Sequence, residues 1–223
     1  METNNQIIKE AIVQIYTRIN NKLQKPTFGI LTKYKNKYWV ITVHHSIFDN
    51  NKYFCNSVEI WSGVHPDVAK SYNKNTNSQL ITKYFLPNDI NSFIIDMDND
   101  LIAFPISQTS LYAYNLDGYI DPIKIGDLAF IAFLDYADEN NVLSKYLDGI
   151  IGNVSRINND YAVISAKGSA GMSGSPVFKI INDKFYLFGI YTGTPQTTPV
   201  TMEAVINFSK VSFLNNVFID KLK

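Results

Sequence analysis

The chain has 223 residues, with 20 basic against 20 acidic side chains and an apolar fraction of 46%. That length and apolar content suit one large domain or two small ones with a substantial core, and the balanced charge offers no basic face for nucleic acid and no charge run for a membrane surface. No apolar stretch reaches the roughly 18 residues that a membrane-crossing helix needs.

In chain order, Ile8, Ile12, Ile15 and Ile19 recur at near-helical spacing, while residues 11–17 also read as a strand. A short helix before about residue 10, followed by a strand, accommodates both patterns. Residues 27–33 and 37–43 read as strands joined by a turn at Tyr34-Lys35-Asn36. The second of these, Tyr38-Trp39-Val40-Ile41-Thr42-Val43, runs into His44-His45-Ser46. A histidine ending a buried strand is a candidate base, because an ordinary imidazole titrates near ~6.5. Neighbours on a strand face opposite sides, so only one of His44 and His45 can serve a given site.

Residues 58–63 form a further predicted strand, and 65–79 a polar loop in which His65 is solvated. Asp96-Met97-Asp98-Asn99-Asp100 looks like the start of a calcium loop, but Leu101 and Ser107 stand where glycine and glutamate are required. Asp100 sits at the edge of the apolar run 101–106, a predicted strand cut short by Pro105. A carboxylate there is partly buried and needs a donor, for which a histidine N–H is suitable. Asp98 is its rival. Residues 127–134, 146–157 and 161–166 read as strands, and 135–144 as a mobile loop.

Next comes Gly171-Met172-Ser173-Gly174-Ser175-Pro176. Glycines on both sides let the serine backbone bend sharply and leave its hydroxyl reachable. They also leave successive N–H groups free to face an oxyanion. The glycines at 168, 171 and 174 are not a phosphate loop, since no Gly-Lys-Ser/Thr follows. Residues 177–181 and 184–192 read as a hairpin around Asn182-Asp183. A late strand over 204–208 and a terminal helix over 209–222, with Val211, Leu214 and Phe218 on one face, complete the chain. Many short strands with frequent turns favour an all-β barrel architecture. Two adjacent histidines and one cysteine lack zinc spacing, and no cofactor is implied.

Taken together in the order His, Asp, Ser, the three segments resemble the chymotrypsin/trypsin-like serine proteases. The resemblance implies two six-stranded antiparallel β-barrels, over about 11–110 and 120–208, with a short N-terminal segment and a C-terminal helix in a single peptidase domain. It places the catalytic residues at His45, Asp100 and Ser173, and the oxyanion hole at the backbone N–H groups of Gly171 and Ser173. Ser173-Gly174-Ser175-Pro176-Val177-Phe178 follows the wording of the bacterial branch that includes the glutamyl endopeptidases. Residues 187–193 resemble the strand that pairs with substrate beside the nucleophile, making Tyr191, Thr192 and Gly193 substrate-binding candidates. Tyr191 stands where that branch carries a histidine, so glutamate preference does not transfer. Lys167 lies near the base of the family's primary pocket, where it would favour acidic or polar side chains unless it points to solvent.

The implied function is hydrolysis of peptide bonds in a protein or peptide substrate. Activity is then expected to rise with pH through about 6 to 7.5, as the histidine base becomes neutral. Met172 replaces the aspartate that in trypsin-type enzymes pairs with a freshly cut N-terminus, so that activation switch is not expected. A silent, protease-like binding module is the alternative should Met172 leave the oxyanion loop collapsed. An esterase using the same triad is another. Cys55 is the one cysteine, so no intrachain disulfide forms, and the opening Met1-Glu2-Thr3-Asn4-Asn5-Gln6 lacks the charge and apolar core of a signal peptide. The expected location is cytoplasmic. There, narrow specificity or a regulatory protein partner would restrain the enzyme.

Overall fold

The central apolar runs are continuous, not alternating, because their strands are buried on both faces. On the strand Lys37–Val43, Val40 points into one core while Trp39, Ile41 and Val43 point into another. The strand Leu101–Ile106 divides in the same way, with Ile102, Phe104 and Ile106 on one side and Leu101 and Ala103 on the other. A strand that covers two cores has no polar face to show.

The computed structural model describes residues 2–49, 52–107, 109, 111–117, 122–169, 171–195 and 208–223. Helix α1 (Glu2–Ala11) leads into β1 (Ile12–Ile19), as the overlapping isoleucine patterns predict. There follow β2 (Lys22–Leu23), β3 (Thr27–Tyr34), β4 (Lys37–Val43), β5 (Phe48–Asp49), β6 (Lys52–Tyr53), β7 (Ser57–Trp61), α2 (Pro66–Ser71), β8 (Asn75–Thr76), β9 (Leu80–Phe85), β10 (Ile94–Asp96), β11 (Leu101–Ile106) and β12 (Tyr114–Asn115). The second half contains β13 (Leu128–Glu139), β14 (Val142–Ile157), β15 (Tyr161–Ile164), β16 (Pro176–Ile181), β17 (Lys184–Gly193), β18 (Ser209–Phe213) and a closing helix α3 (Asn216–Lys221).

The first sheet runs β10-β11-β4-β3-β1-β7-β9, and its six long strands are those from β11 to β9. Side chains bring its two ends together. The Tyr84 hydroxyl on β9 donates to the Pro105 carbonyl on β11, and the Tyr84 ring stacks on Phe104 at 5.7 Å. The second sheet runs β13-β16-β17-β18-β15-β14, and β13 pairs again with β14, closing a ring of six strands. Each half has its own interior cluster, and a third cluster lies between the halves, where Phe28, Ile41 and Val43 meet Phe178, Leu187 and Ile190. The all-β, two-barrel architecture expected from the sequence is therefore present, with a helix at each end.

Three local expectations are corrected. Residues 135–144 are not a loop: β13 and β14 pair throughout from Leu128↔Asn153 to Glu139↔Val142. Asn140 and Asn141 take φ values of 53° and 66°, the left-handed pair that a two-residue hairpin turn needs. The segment 65–79 is not an extended polar loop either, for it contains α2, with Pro66 in its first turn, and β8. The terminal helix is shorter than 209–222, because Ser209–Phe213 is claimed as β18 by pairing with β15 and β17. Asn215 caps what remains, its side chain accepting from the Phe218 N–H at 2.9 Å. The strand predicted over 204–208 falls on positions that, up to 207, lie outside the described residues. Among the described residues no helix is long and apolar enough to cross a membrane.

Candidate active site

Strand β4 ends at Val43, and His44–Ser46 turn into a short 3₁₀ segment. His44 and His45 consequently do not alternate across a strand as the sequence suggests. The turn separates them instead by burial. The His44 ring is buried and stacked on Phe48 at 4.3 Å, and burial lowers its pKa from the ordinary histidine value. The His45 side chain is nearly half exposed.

Asp100, the residue just before β11, grips this turn from the adjacent strand's start. Its backbone has φ 55°, a left-handed conformation that aspartate tolerates better than most residues. Its carbonyl accepts the His44 N–H at 3.0 Å. One carboxylate oxygen accepts the His45 N–H at 2.9 Å, and the other meets His45 Nδ1 at 2.6 Å. A carboxylate at that distance calls for the proton on Nδ1, which leaves Nε2 free to accept another. The rival Asp98 is exposed. Asp96 is occupied with Asn99, through contacts of 3.0 and 3.3 Å.

The nucleophile candidate enters from the second half. Gly171 and Gly174 have φ of 100° and 85°, so both glycines flanking Met172-Ser173 adopt backbone that other residues rarely take. At Gly174 there is a second reason for glycine: a β-carbon would collide with the Phe28 carbonyl and with Thr42 Oγ1. The Ser173 carbonyl accepts the Phe28 N–H at 2.9 Å, and Thr42 Oγ1 donates to the Phe28 carbonyl at 2.5 Å. Phe28 is the second residue of β3, and Thr42, on β4, lies three residues before His45. Backbone hydrogen bonding thus seats Ser173 against the strand pair whose end carries His45.

Met172 holds the loop in a way the sequence did not reveal. Its side chain is buried in the second-half core beside Ala166 and Tyr191. Its sulfur accepts the Ser169 N–H at 3.3 Å, its own N–H donates to the Ser169 carbonyl at 3.2 Å, and its carbonyl accepts the Ser175 N–H at 3.0 Å. Among the described residues, no acceptor pairs with the N–H of Gly171 or of Ser173. Those are the two donors assigned to an oxyanion.

Of the substrate-binding candidates, Lys167 is exposed. Tyr191 is buried and bonded through its backbone to Gly174 and Ser175, each at 2.9 Å. Thr192 Oγ1 reaches the Lys210 carbonyl at 3.4 Å, and Gly193 has φ 125°. Asp100 and Thr192 share a cleft of about 400 Å³ with Tyr161, Thr194, Pro195 and Lys210, so the two halves meet there.

His65, expected to be solvated, is instead 4% exposed. Its Nδ1 accepts the Asp67 N–H at 3.0 Å and caps α2. Its Nε2 lies 3.0 Å from Glu59. Glu59 also receives Arg18 at 2.8 Å, Lys83 at 3.0 Å and Trp61 at 3.3 Å. Burial pushes the Glu59 carboxyl up, but the hydrogen bonds from Arg18, Lys83 and Trp61 and the charge of Arg18 outweigh it, bringing it down to about 2. The only hint in sequence was a charged residue inside the apolar run Val58-Glu59-Ile60.

No protein-family model matches the chain, and no curated protein matches it in sequence. Solved structures do match. The catalytically inactive tobacco etch virus protease complexed with substrate superposes with a TM-score of 0.59 at 10% identity, over 96% of this chain and 83% of that one. The catalytically active form complexed with product gives 0.58 at 12%, over 98% and 79%. That neighbour is a cysteine-type protease, whereas the one cysteine here, Cys55, is buried in the first-half core. These neighbours do not belong to the glutamyl-endopeptidase branch. The likeness carries the fold, and the chain adopts the chymotrypsin-like two-barrel protease fold.

Proposed function

We propose that this protein is a serine endopeptidase whose triad is His45, Asp100 and Ser173. The observation that supports it most is the double grip of Asp100 on His45, at 2.9 Å to its N–H and 2.6 Å to Nδ1. An aspartate held in left-handed backbone and spending both oxygens on one histidine has the geometry needed to orient a base.

In this reading His45 Nε2 takes the proton of Ser173 Oγ as the oxygen attacks a peptide carbonyl. The tetrahedral oxyanion sits on the N–H groups of Gly171 and Ser173, where a single donor is worth about 3 kcal/mol. Asp100 stabilises the imidazolium, which then protonates the leaving amine. The acyl group on Ser173 is released by water through the same steps in reverse roles. The Met172 thioether and its backbone bonds to Ser169 and Ser175 supply loop order without an ion pair. That favours a working enzyme over a silent binding module. The substrate is a protein or peptide chain lying in the cleft where Asp100 and Thr192 meet. The wording of residues 173–178 resembles the bacterial branch named above, but the structural neighbours lie outside that branch and Tyr191 argues against its glutamate preference.

Cleavage of a peptide library by the full chain and by Ser173→Ala tests the proposal. Wild-type cleavage lost in a folded Ser173→Ala variant is expected. Cleavage that persists in that variant would exclude Ser173 as nucleophile.

A further inference from the structure

The recess beside the nucleophile is already filled. Tyr191 donates its N–H to the Ser175 carbonyl and accepts the Gly174 N–H, each at 2.9 Å, so it is the residue of β17 that abuts the nucleophile loop. Its side chain is 3% exposed and packs with Ala166, Met172 and Val211. Its ring lies against the segment that Ser209 anchors. Ser209 in turn donates to the Ala166 carbonyl at 2.8 Å and accepts the Gly168 N–H at 3.0 Å. Gly168 lies directly on the ring: a β-carbon there would collide with the hydroxyl and stand 2.5 Å from Cζ and 2.6 Å from Cε2. The phenol is therefore wedged between residues 166–169 and β18, and the missing side chain at 168 is what admits it.

A peptide attacked by Ser173 has its carbonyl oxygen at Gly171 and Ser173. The resemblance to chymotrypsin-like proteases puts the pocket for the side chain one bond from that carbonyl between the two segments flanking the loop, 166–169 and 191–193. That gap holds the ring. The exposed Lys167 offers no charge inside it. We propose that Tyr191 blocks the recess beside Ser173 and restricts cleavage to bonds that follow small side chains: glycine, alanine or serine. This specificity rests on the endopeptidase reading above.

The test is a cleavage profile of the full chain, Tyr191→Ala and Tyr191→Phe on one peptide library. Labelling by a small fluorophosphonate reports the nucleophile independently. Wild type and Tyr191→Phe are expected to cut after small residues. Tyr191→Ala is expected to shift kcat/KM toward leucine, methionine or phenylalanine by at least about 10-fold, since a single methylene in an apolar pocket already commands about 10- to 200-fold. Efficient wild-type cleavage after phenylalanine, lysine or glutamate, in protein that labels normally, overturns the blocked recess while leaving the endopeptidase reading intact. Folded protein that neither labels nor cleaves overturns both. The wild-type profile decides the matter even if Tyr191→Ala does not fold.

Discussion

In the proposed endopeptidase single residues carry the chemistry, and each is held by groups that can be removed one at a time. Replacing Asp100 with asparagine keeps the side-chain shape but offers an amide where a carboxylate met Nδ1, and invites the wrong imidazole tautomer. The expected loss in kcat is about 10⁴-fold with little change in thermal stability, read by single-substrate kinetics beside a melting curve. A loss below tenfold would remove Asp100 from the triad. Gly174→Ala is predicted to fail differently. The new β-carbon meets the Phe28 carbonyl and Thr42 Oγ1, and the backbone is already at φ 85°. Both melting temperature and activity should fall, since the loop cannot stay seated on β3. The Gly-Met-Ser-Gly-Ser-Pro box and the strand-ending histidine were legible in sequence because glycine and histidine have few other reasons to stand there. The bracing role of Met172 was not legible. A thioether acting as hydrogen-bond acceptor is indistinguishable in sequence from a core methionine, and it is also that.

At the scale of elements, strands defined by local pattern were read well, and those defined by distant partners were not. The hairpin β16–β17 around Asn182-Asp183 and the hairpin β3–β4 around Lys35-Asn36 use left-handed turn pairs that the sequence announces. The β13–β14 hairpin uses Asn140-Asn141 in the same way, yet its outer strand halves mix charged residues with half-buried ones, so apolar periodicity gave no signal. β18 looked helical because Val211, on the strand, and Leu214, in the link to α3, are both buried, though in different cores. The region around β7 and α2 hid most. There the Arg18, Lys83 and His65 contacts to Glu59 tie β1, β9 and α2 to β7. Glu59 falls from the usual 4.5 to about 2 on folding, so its contribution is present above pH 4.5 and is lost as pH falls toward 2. Urea unfolding from pH 5 to 2.5 should show wild type losing stability more steeply than Glu59→Gln. Equal slopes would mean that the cluster adds nothing. Arg18→Met, which leaves a buried carboxylate short of its closest partner, should cost about 3 kcal/mol.

For the whole molecule, the site depends on two halves being held in one relation. The shared core of Phe28, Ile41, Val43, Phe178, Leu187 and Ile190 lies between the halves. Many short strands with frequent turns made an all-β barrel architecture readable, and the division into two barrels followed from the resemblance carried by the His, Asp and Ser segments. The closure of each barrel was not readable, because it comes from contacts far apart in the chain. In the first half that closure rests on the Tyr84 hydroxyl reaching Pro105. Tyr84→Phe should lower the unfolding free energy by about 1 kcal/mol and leave the cleavage pattern unchanged. The halves also explain why Ser173 can be supplied by one barrel and His45 by the other. The loop that carries the serine is hydrogen-bonded onto β3 of the first half, not merely placed near it.

The most direct measurement is the site of covalent attack. Full-length protein treated with a small fluorophosphonate should carry one adduct, mapped by mass spectrometry to Ser173, with labelling slowed by His45→Ala and abolished by Ser173→Ala. Folded protein that takes up no reagent, or takes it up on another residue at the same rate in all three forms, would contradict a nucleophile assembled from both barrels.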